Sequence, residues 1–222
     1  MFTKYLDDYY KFKITVKEIS KKESVTPSTF HRWLKKESLL PRQKVFSLIK
    51  TNDENLKKEL YKRYTSMLKR VKSKNVKKYG DYVGMEYLNI YDFVDFCNER
   101  MTSIEKVWES YLNDNSFKNT LSLDRINNDF GYLKENIQIT THGFNSWKRS
   151  VRPIKVTHKK EVNYFMTKEE ASIFYGLRRQ AIGEIANKKK YHLKGYLVEE
   201  SSIDEVLKNN KIYSLQEYYA ER

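Results

Sequence analysis

The sequence predicts an α+β chain, mostly helical, in which a central strand–loop–strand–helix unit lies between two paired-helix segments. Three observations predict it. Apolar residues recur at helical spacing in the runs 28–36, 56–71 and 90–100. The pattern changes at 121–141, where Leu121 and Leu123 alternate with Ser122 and Asp124 and the run IQIT is β-prone. After residue 150 a small alternating stretch, PIKVTHKKEVNYFM, suggests a strand pair ahead of two more helical runs.

The 222 residues suffice for one medium domain or two to three small ones, and the composition marks segments 1–41, 42–150 and 151–222. Lys and Arg outnumber Asp and Glu by 43 to 29, a net charge of +14 that favours a polyanionic partner through phosphate contacts and counterion release. No apolar run is long enough to span a bilayer. The first residues, MFTKYLDDYYKFK, lack the apolar core of a secretory signal. The single cysteine, Cys97, excludes an intrachain disulfide and any multi-thiolate zinc site; it fits a reducing, cytoplasmic setting and reads as a small core residue.

In the first segment Thr15 is placed to cap a helix over TVKEISKK, and residues 23–25 read as a turn. Thr26 then caps a second helix whose first position is Pro27, where the missing N–H costs nothing. Phe30, Trp33 and Leu34 fall on its inner face, which leaves Thr26, Ser28, Thr29 and Arg32 outside near its start. This is the pattern of a helix-turn-helix, whose second helix enters the major groove; an ordinary helical hairpin has the same signature.

Asn52-Asp53-Glu54 starts a long helix with Leu56, Leu60, Tyr64, Met67, Leu68 and Val71 inward. Its outer face holds Lys57, Lys58, Lys62, Arg63, Lys69 and Arg70, which suits a phosphate backbone or plain solvation. The glycine-marked stretch 79–84 reads as a turn region, and 90–100 as a helix with Phe93, Phe96 and Cys97 inward. In the last segment Thr167 caps KEEASIFY, Gly176-Leu177 turns, and RRQAIGEIA is a second helix. Ala171, Phe174, Ile182 and Ile185 are expected between these helices. Arg178, Arg179 and Gln180 lie at the exposed start of the second one, with Lys188, Lys189 and Lys190 beyond; Arg and Gln can pair with base edges. The tail from 203 reads as helical and amphipathic.

The stretch 122–149, SLDRINNDFGYLKENIQITTHGFNSWKR, carries the chemistry. Asp124 ends the first strand run, on the face opposite the two leucines. Asn127, Asn128, Asp129 and Gly131 make a turn-rich loop that Asn136 ends. Thr141 can cap the following helix, on which His142, Asn145 and Arg149 share one face, while Phe144 and Trp147 share another. A folded-back unit of this kind brings a carboxylate and an amide oxygen together. Mg²⁺ prefers oxygen ligands and usually takes only one or two from protein. One such ion can stabilise charge on a phosphodiester.

This stretch resembles the HNH superfamily of metal-dependent nucleases, with its ββα-metal fold, in the phage and intron-encoded branch whose motif reads roughly SLDRIDNDGGY followed by N(C/V)RWAT and a helix. The upstream RYTSMLKRV and the Tyr79-Gly80 turn resemble the same branch more loosely. The last segment resembles the small helix-turn-helix modules appended to phage homing endonucleases. The resemblance implies metal ligation by Asp124 and Asn145, a loop tied by Asn136, and Mg²⁺ or Mn²⁺ as cofactor. Arg125 stands where many members place the water-activating histidine, as the phage branch often does. Arginine stays protonated and cannot be a base. His142, one turn before Asn145, is the leading substitute, since imidazole titrates near neutral pH; Tyr132 is another, and Arg125 is open to a phosphate-clamping role. Ile139 replaces a tryptophan of the motif and Phe130 a glycine.

The expected function is therefore a phage-type HNH homing endonuclease, monomeric, without an obligate protein partner. It would nick one strand of double-stranded DNA at a site held by the flanking modules. The alternative is a catalytically inactive DNA-binding regulator that keeps the ββα unit as scaffold.

Overall fold

The computed structural model describes residues 2–186, 195–212 and 214–220. The chain is α+β and mostly helical, with a two-stranded and a three-stranded antiparallel sheet among the described residues. It divides into two compact units, residues 1–143 and 144–222. No described helix is long and apolar enough to cross a membrane.

The first unit begins with a helical run that the sequence pattern did not mark, ending in α1 (Leu6–Tyr10). The capped pair follows as α2 (Val16–Lys22) and α3 (Pro27–Lys36). Thr15 and Glu18 form a reciprocal capping box, which satisfies two of the N–H groups a helix start leaves unpaired. Thr26 holds the cap position of α3 without a side-chain bond to its N–H groups; its hydroxyl lies 3.0 Å from that of Thr29. Ser24 turns the chain between the helices with φ at +54°. Phe30 and Leu34 are fully buried and Trp33 partly so. Phe2 and Tyr9 meet the Phe30 ring edge-on at 5.4 and 5.1 Å. Residues 2–41 thus bury their apolar side chains in the same core as residues 45–139, and no packing boundary falls at residue 41.

The long helix α4 (Glu54–Val71) buries all six apolar residues of its inner face. Asp53 caps it, accepting from the Asn55 and Leu56 N–H groups, and its other oxygen accepts from Trp108 Nε1 at 2.6 Å. A short helix α5 (Val76–Tyr79) leads to α6 (Ile90–Glu99), whose Phe93, Phe96 and Cys97 are fully buried. Burial pushes the Cys97 thiol pKa up, as befits a core residue. Arg100 both ends α6 and precedes α7 (Met101–Asn113), a helix not anticipated because no glycine or proline marks the junction.

The second unit holds the three-stranded sheet, in the order β4-β3-β5. β3 (Ile154–His158) and β4 (Glu161–Phe165) are the expected pair, joined through Lys159 and Lys160, both at positive φ as a tight hairpin turn demands. A further strand, β5 (Tyr196–Glu200), pairs with the free side of β3. Between β4 and β5 come α9 (Lys168–Phe174), with its Thr167–Glu170 capping box, and α10 (Arg179–Ala186). Ala171, Ile182 and Ile185 pack with Ile154, Val156, Phe165 and Val198. Phe174 departs from expectation: it is 62% exposed, and Tyr175 takes the inward position one helical turn after Ala171. The tail is two short helices, α11 (Ile203–Asn210) and α12 (Leu215–Ala220), separated where Lys211 adopts a left-handed conformation. The remaining helix, α8 (His142–Lys148), spans the boundary between the units; its Phe144 is buried and its Trp147 packs beside Val151, Met166, Val206 and Tyr218.

Candidate functional site

Two antiparallel strands build the centre of the site: β1 (Leu121–Arg125) and β2 (Ile137–Thr141). Leu121, Leu123, Ile137 and Ile139 enter the core of the first unit, where α4 packs on β1 and α7 on β2. The period of two then puts Asp124 on the other face, directly opposite Gln138. Gln138 Nε2 donates to Asp124 Oδ2 at 2.8 Å. Asp124 is only 4% exposed, so its carboxylate is held rather than left in open solvent.

The loop between the strands is fastened by Asn136. Its Oδ1 accepts from the Asn127 N–H at 2.8 Å, and its Nδ2 donates to the carbonyls of Asn127 and Gly131, both at 2.9 Å. The Ile126 N–H closes the base of the loop on the Asn136 carbonyl. The far side is stapled to the 86–88 stretch, since the Tyr132 N–H donates to Glu86 O and the Leu88 N–H to Tyr132 O. Gly131 is required by this approach: a Cβ there would collide with the Glu86 carbonyl.

Arg125 belongs to the loop as well. Its Nη1 donates to the carbonyls of Asn128 and Phe130, at 2.8 and 3.1 Å, and lies against Met85 Sδ. The guanidinium sits 4.7 Å from the Tyr82 ring centre and 5.5 Å from that of Tyr132. These rings stack on each other at 6.4 Å, and Arg70 from α4 approaches both. Arg125 is 6% exposed; its position is that of a strut inside the loop rather than of a clamp reaching outward. Burial pushes the Tyr132 hydroxyl pKa up, with the nearby Arg70 charge opposing. A phenol shifted that way is a poorer proton acceptor at neutral pH.

His142 opens α8 immediately after β2. Its N–H donates to the Thr120 carbonyl at 2.8 Å, and its ring lies 4.2 Å from that of Phe117. Thr141 is the last residue of β2 and immediately precedes α8, the place expected of its cap. Asn145 is one turn further along α8 and belongs to the second unit. The helix ends at Lys148, and exposed Arg149 lies in the turn directly after it. The structure thus gathers Asp124, Arg125 and Asn136 in one hydrogen-bonded unit and sets His142 at the end of the adjoining strand. Among the described residues no three His, Cys, Asp or Glu side chains form a metal-binding group.

The expected nucleic-acid contacts lie at the starts of two helices. Thr26, Ser28 and Arg32 are exposed at the beginning of α3, with Thr29 half-buried. Arg178 precedes α10, its carbonyl accepting from the Ala181 N–H, and Arg179 opens the helix; Arg178 and Gln180 are exposed. Lys188, Lys189 and Lys190 lie outside the described residues. Two residues of the site were not marked by the sequence reading, Gln138 and Tyr82; Arg70, expected on the outer basic face of α4, lies against the Tyr82 and Tyr132 rings. The hairpin register is the one signal that would have found Gln138, because it pairs position 138 with 124. Comparison with protein-family models, with curated proteins and with solved structures finds no match to this chain.

Proposed function

We propose that this chain is a metal-dependent DNA endonuclease of the HNH type, which hydrolyses one phosphodiester bond of a duplex and so nicks it. The observation that supports this reading most is local. Asp124 stands on the first of two antiparallel strands, the intervening loop is tied by Asn136, and a helix bearing His142 and Asn145 follows the second strand without a linker. That order of elements and side chains is the one the HNH resemblance implies.

In this reading Asp124 is the carboxylate ligand of one Mg²⁺ or Mn²⁺, with Asn145 the second ligand that the HNH resemblance implies; when bound, the ion supplies positive charge against the phosphate in the transition state. The carboxylate suits such an ion: it is a hard oxygen donor already oriented by Gln138. His142 is the proton acceptor for the attacking water. Arg125 and Asn136 keep the loop rigid, so that Asp124 does not reorganise during reaction. The pairs α2–α3 and α9–α10 bind duplex DNA as helix-turn-helix modules, with Thr26, Ser28, Thr29 and Arg32 on one and Arg178, Arg179 and Gln180 on the other. The net charge of +14 supports a polyanionic partner.

The test is conversion of supercoiled plasmid carrying a randomised insert to open circle, in Mg²⁺ and in Mn²⁺. The endonuclease reading expects conversion by the native chain and none by Asp124→Ala. Tight duplex binding without any open-circle product would instead establish a DNA-binding protein that keeps the ββα unit as scaffold. Full conversion by Asp124→Ala would show that the nicking centre lies elsewhere.

A further inference from the structure

Arg70 sits in the last turn of α4, and its donors are poorly met. Its Nε is buried and has no hydrogen-bond partner, and no ion pair joins it to a carboxylate among the described residues. Arg63 Nε is likewise buried without a partner, but that guanidinium, like those of Arg125 and Arg42, has an acceptor at another nitrogen. Arg125 Nη1 is held by two loop carbonyls, Arg42 Nη1 donates to the carbonyls of Tyr9 and Ile14, and Arg63 pairs with Glu59. Arg70 has only aromatic faces, with Cζ 5.2 Å from the Tyr82 ring centre and 5.4 Å from that of Tyr132. Aromatic rings fix a guanidinium in place by meeting its plane and not its donors, and Arg70 as a whole is half-buried although its Nε is enclosed. A buried cationic donor without an acceptor is costly unless an anion completes it.

The position of this donor matters. Arg125 approaches the same two rings, at 4.7 and 5.5 Å, and Asp124 precedes Arg125 on β1, the strand on which α4 packs. Both Arg70 and Asp124 act on the Tyr132 hydroxyl through their charges. An unpaired guanidinium therefore lies in the neighbourhood of the carboxylate proposed to hold the metal. A planar fork of N–H groups matches two oxygens of a phosphate.

We propose that Arg70 is a phosphate-binding residue of this site: it takes a non-bridging oxygen of the DNA strand beside Asp124 and fixes the phosphodiester for attack. The anion's identity rests on the endonuclease reading, whereas the unmet donor does not.

The test uses the full chain labelled with ¹⁵N in its arginines. The Arg70 Nε–Hε signal, assigned by through-bond correlation along its own side chain, is followed as a short duplex is added without divalent metal. It is expected to shift and to exchange its hydrogen more slowly, while the Arg42 signal stays in place. An Arg70 signal unmoved by saturating duplex overturns the proposal. A second arm measures nicking by Arg70→Gln and Arg70→Lys. The glutamine variant is expected to lose about 10²-fold in kcat with a smaller change in KM, the magnitude typical of one lost charge-stabilising donor, and the lysine variant to recover part of it. Wild-type kcat in Arg70→Gln also overturns it. The two readings fail separately. A native chain that nicks while the Arg70 signal stays still removes the phosphate site alone. A signal that moves in a chain that never nicks removes the nuclease alone.

Discussion

Gln138 and Asp124 face each other across the β1–β2 pair, and the 2.8 Å bond from Gln138 Nε2 to Asp124 Oδ2 ties the candidate metal-binding carboxylate to the neighbouring strand. Outer partners of this kind orient a ligating group, and their loss typically costs ten- to a hundredfold in metal affinity or activity. Gln138→Leu, which keeps the bulk and deletes the donor, should lower the nicking rate by about tenfold and raise the Mg²⁺ concentration needed for half-maximal rate. Nicking by Gln138→Leu at the native rate and native Mg²⁺ dependence would show that the bond does not organise the site.

Asn136 makes three side-chain hydrogen bonds to the loop backbone, one accepted and two donated. Asn136→Ala leaves those groups unmet in a nearly buried place, at about 2–4 kcal/mol for the set. Asn136→Asp keeps the acceptor and loses both donated bonds, so it should also destabilise. Urea unfolding followed by tryptophan fluorescence measures both. A midpoint for Asn136→Ala equal to that of the native chain would contradict this role.

Gly131 is a close-approach glycine. Gly131→Ala forces a methyl group into the Glu86 backbone, where no rotamer change can relieve it. The expected cost is about 1–3 kcal/mol, with faster amide exchange at Tyr132 and Leu88, whose N–H groups pair the loop with the 86–88 stretch. Unchanged protection at those two amides would rule out the collision.

Asp53 is the most connected helix cap of the first unit. Its carboxyl is held below the usual range, first by the bond from the Leu56 N–H and then by that from Trp108 Nε1. A carboxylate lowered in the folded state contributes stability above its unfolded pKa, and that contribution disappears as pH falls through the folded value. Asp53→Ala should therefore cost about 1–2 kcal/mol at pH 7, the usual range for a lost cap. The gap from the native chain should narrow below about pH 4, the ordinary aspartate range. Paired urea titrations at neutral and acid pH check the sign; a gap that widens in acid would refute it.

The parts legible in the sequence are those set by local pattern. The six inward residues of α4, the caps at Thr15, Asp53 and Thr167, and the strands around Asp124 follow from period and capping chemistry within a few residues. Elements without such marks were missed. β5 is followed closely by a capped helix but carries no signal naming its partner, and α7 starts where α6 stops. Phe174 and Tyr175 stand three and four residues after Ala171, so helical spacing allowed either inward, and packing chose Tyr175.

What the sequence by itself determined is the order of strand, loop, strand and helix, and the presence in it of a carboxylate, a loop asparagine and an imidazole. Tertiary structure alone decided what each polar group does there. Arg125 could serve a phosphate or the protein as far as its chemistry goes; the carbonyls of Asn128 and Phe130, brought round by the loop, make it a strut. Gln138 acquires its place from strand register, and Arg70 from the packing of α4 on β1, more than fifty residues further along the chain. The physical reason is range. Helical period, alternation and caps act between near neighbours in the chain, whereas hydrogen-bond partners in a folded site come from segments that only the shared core brings together.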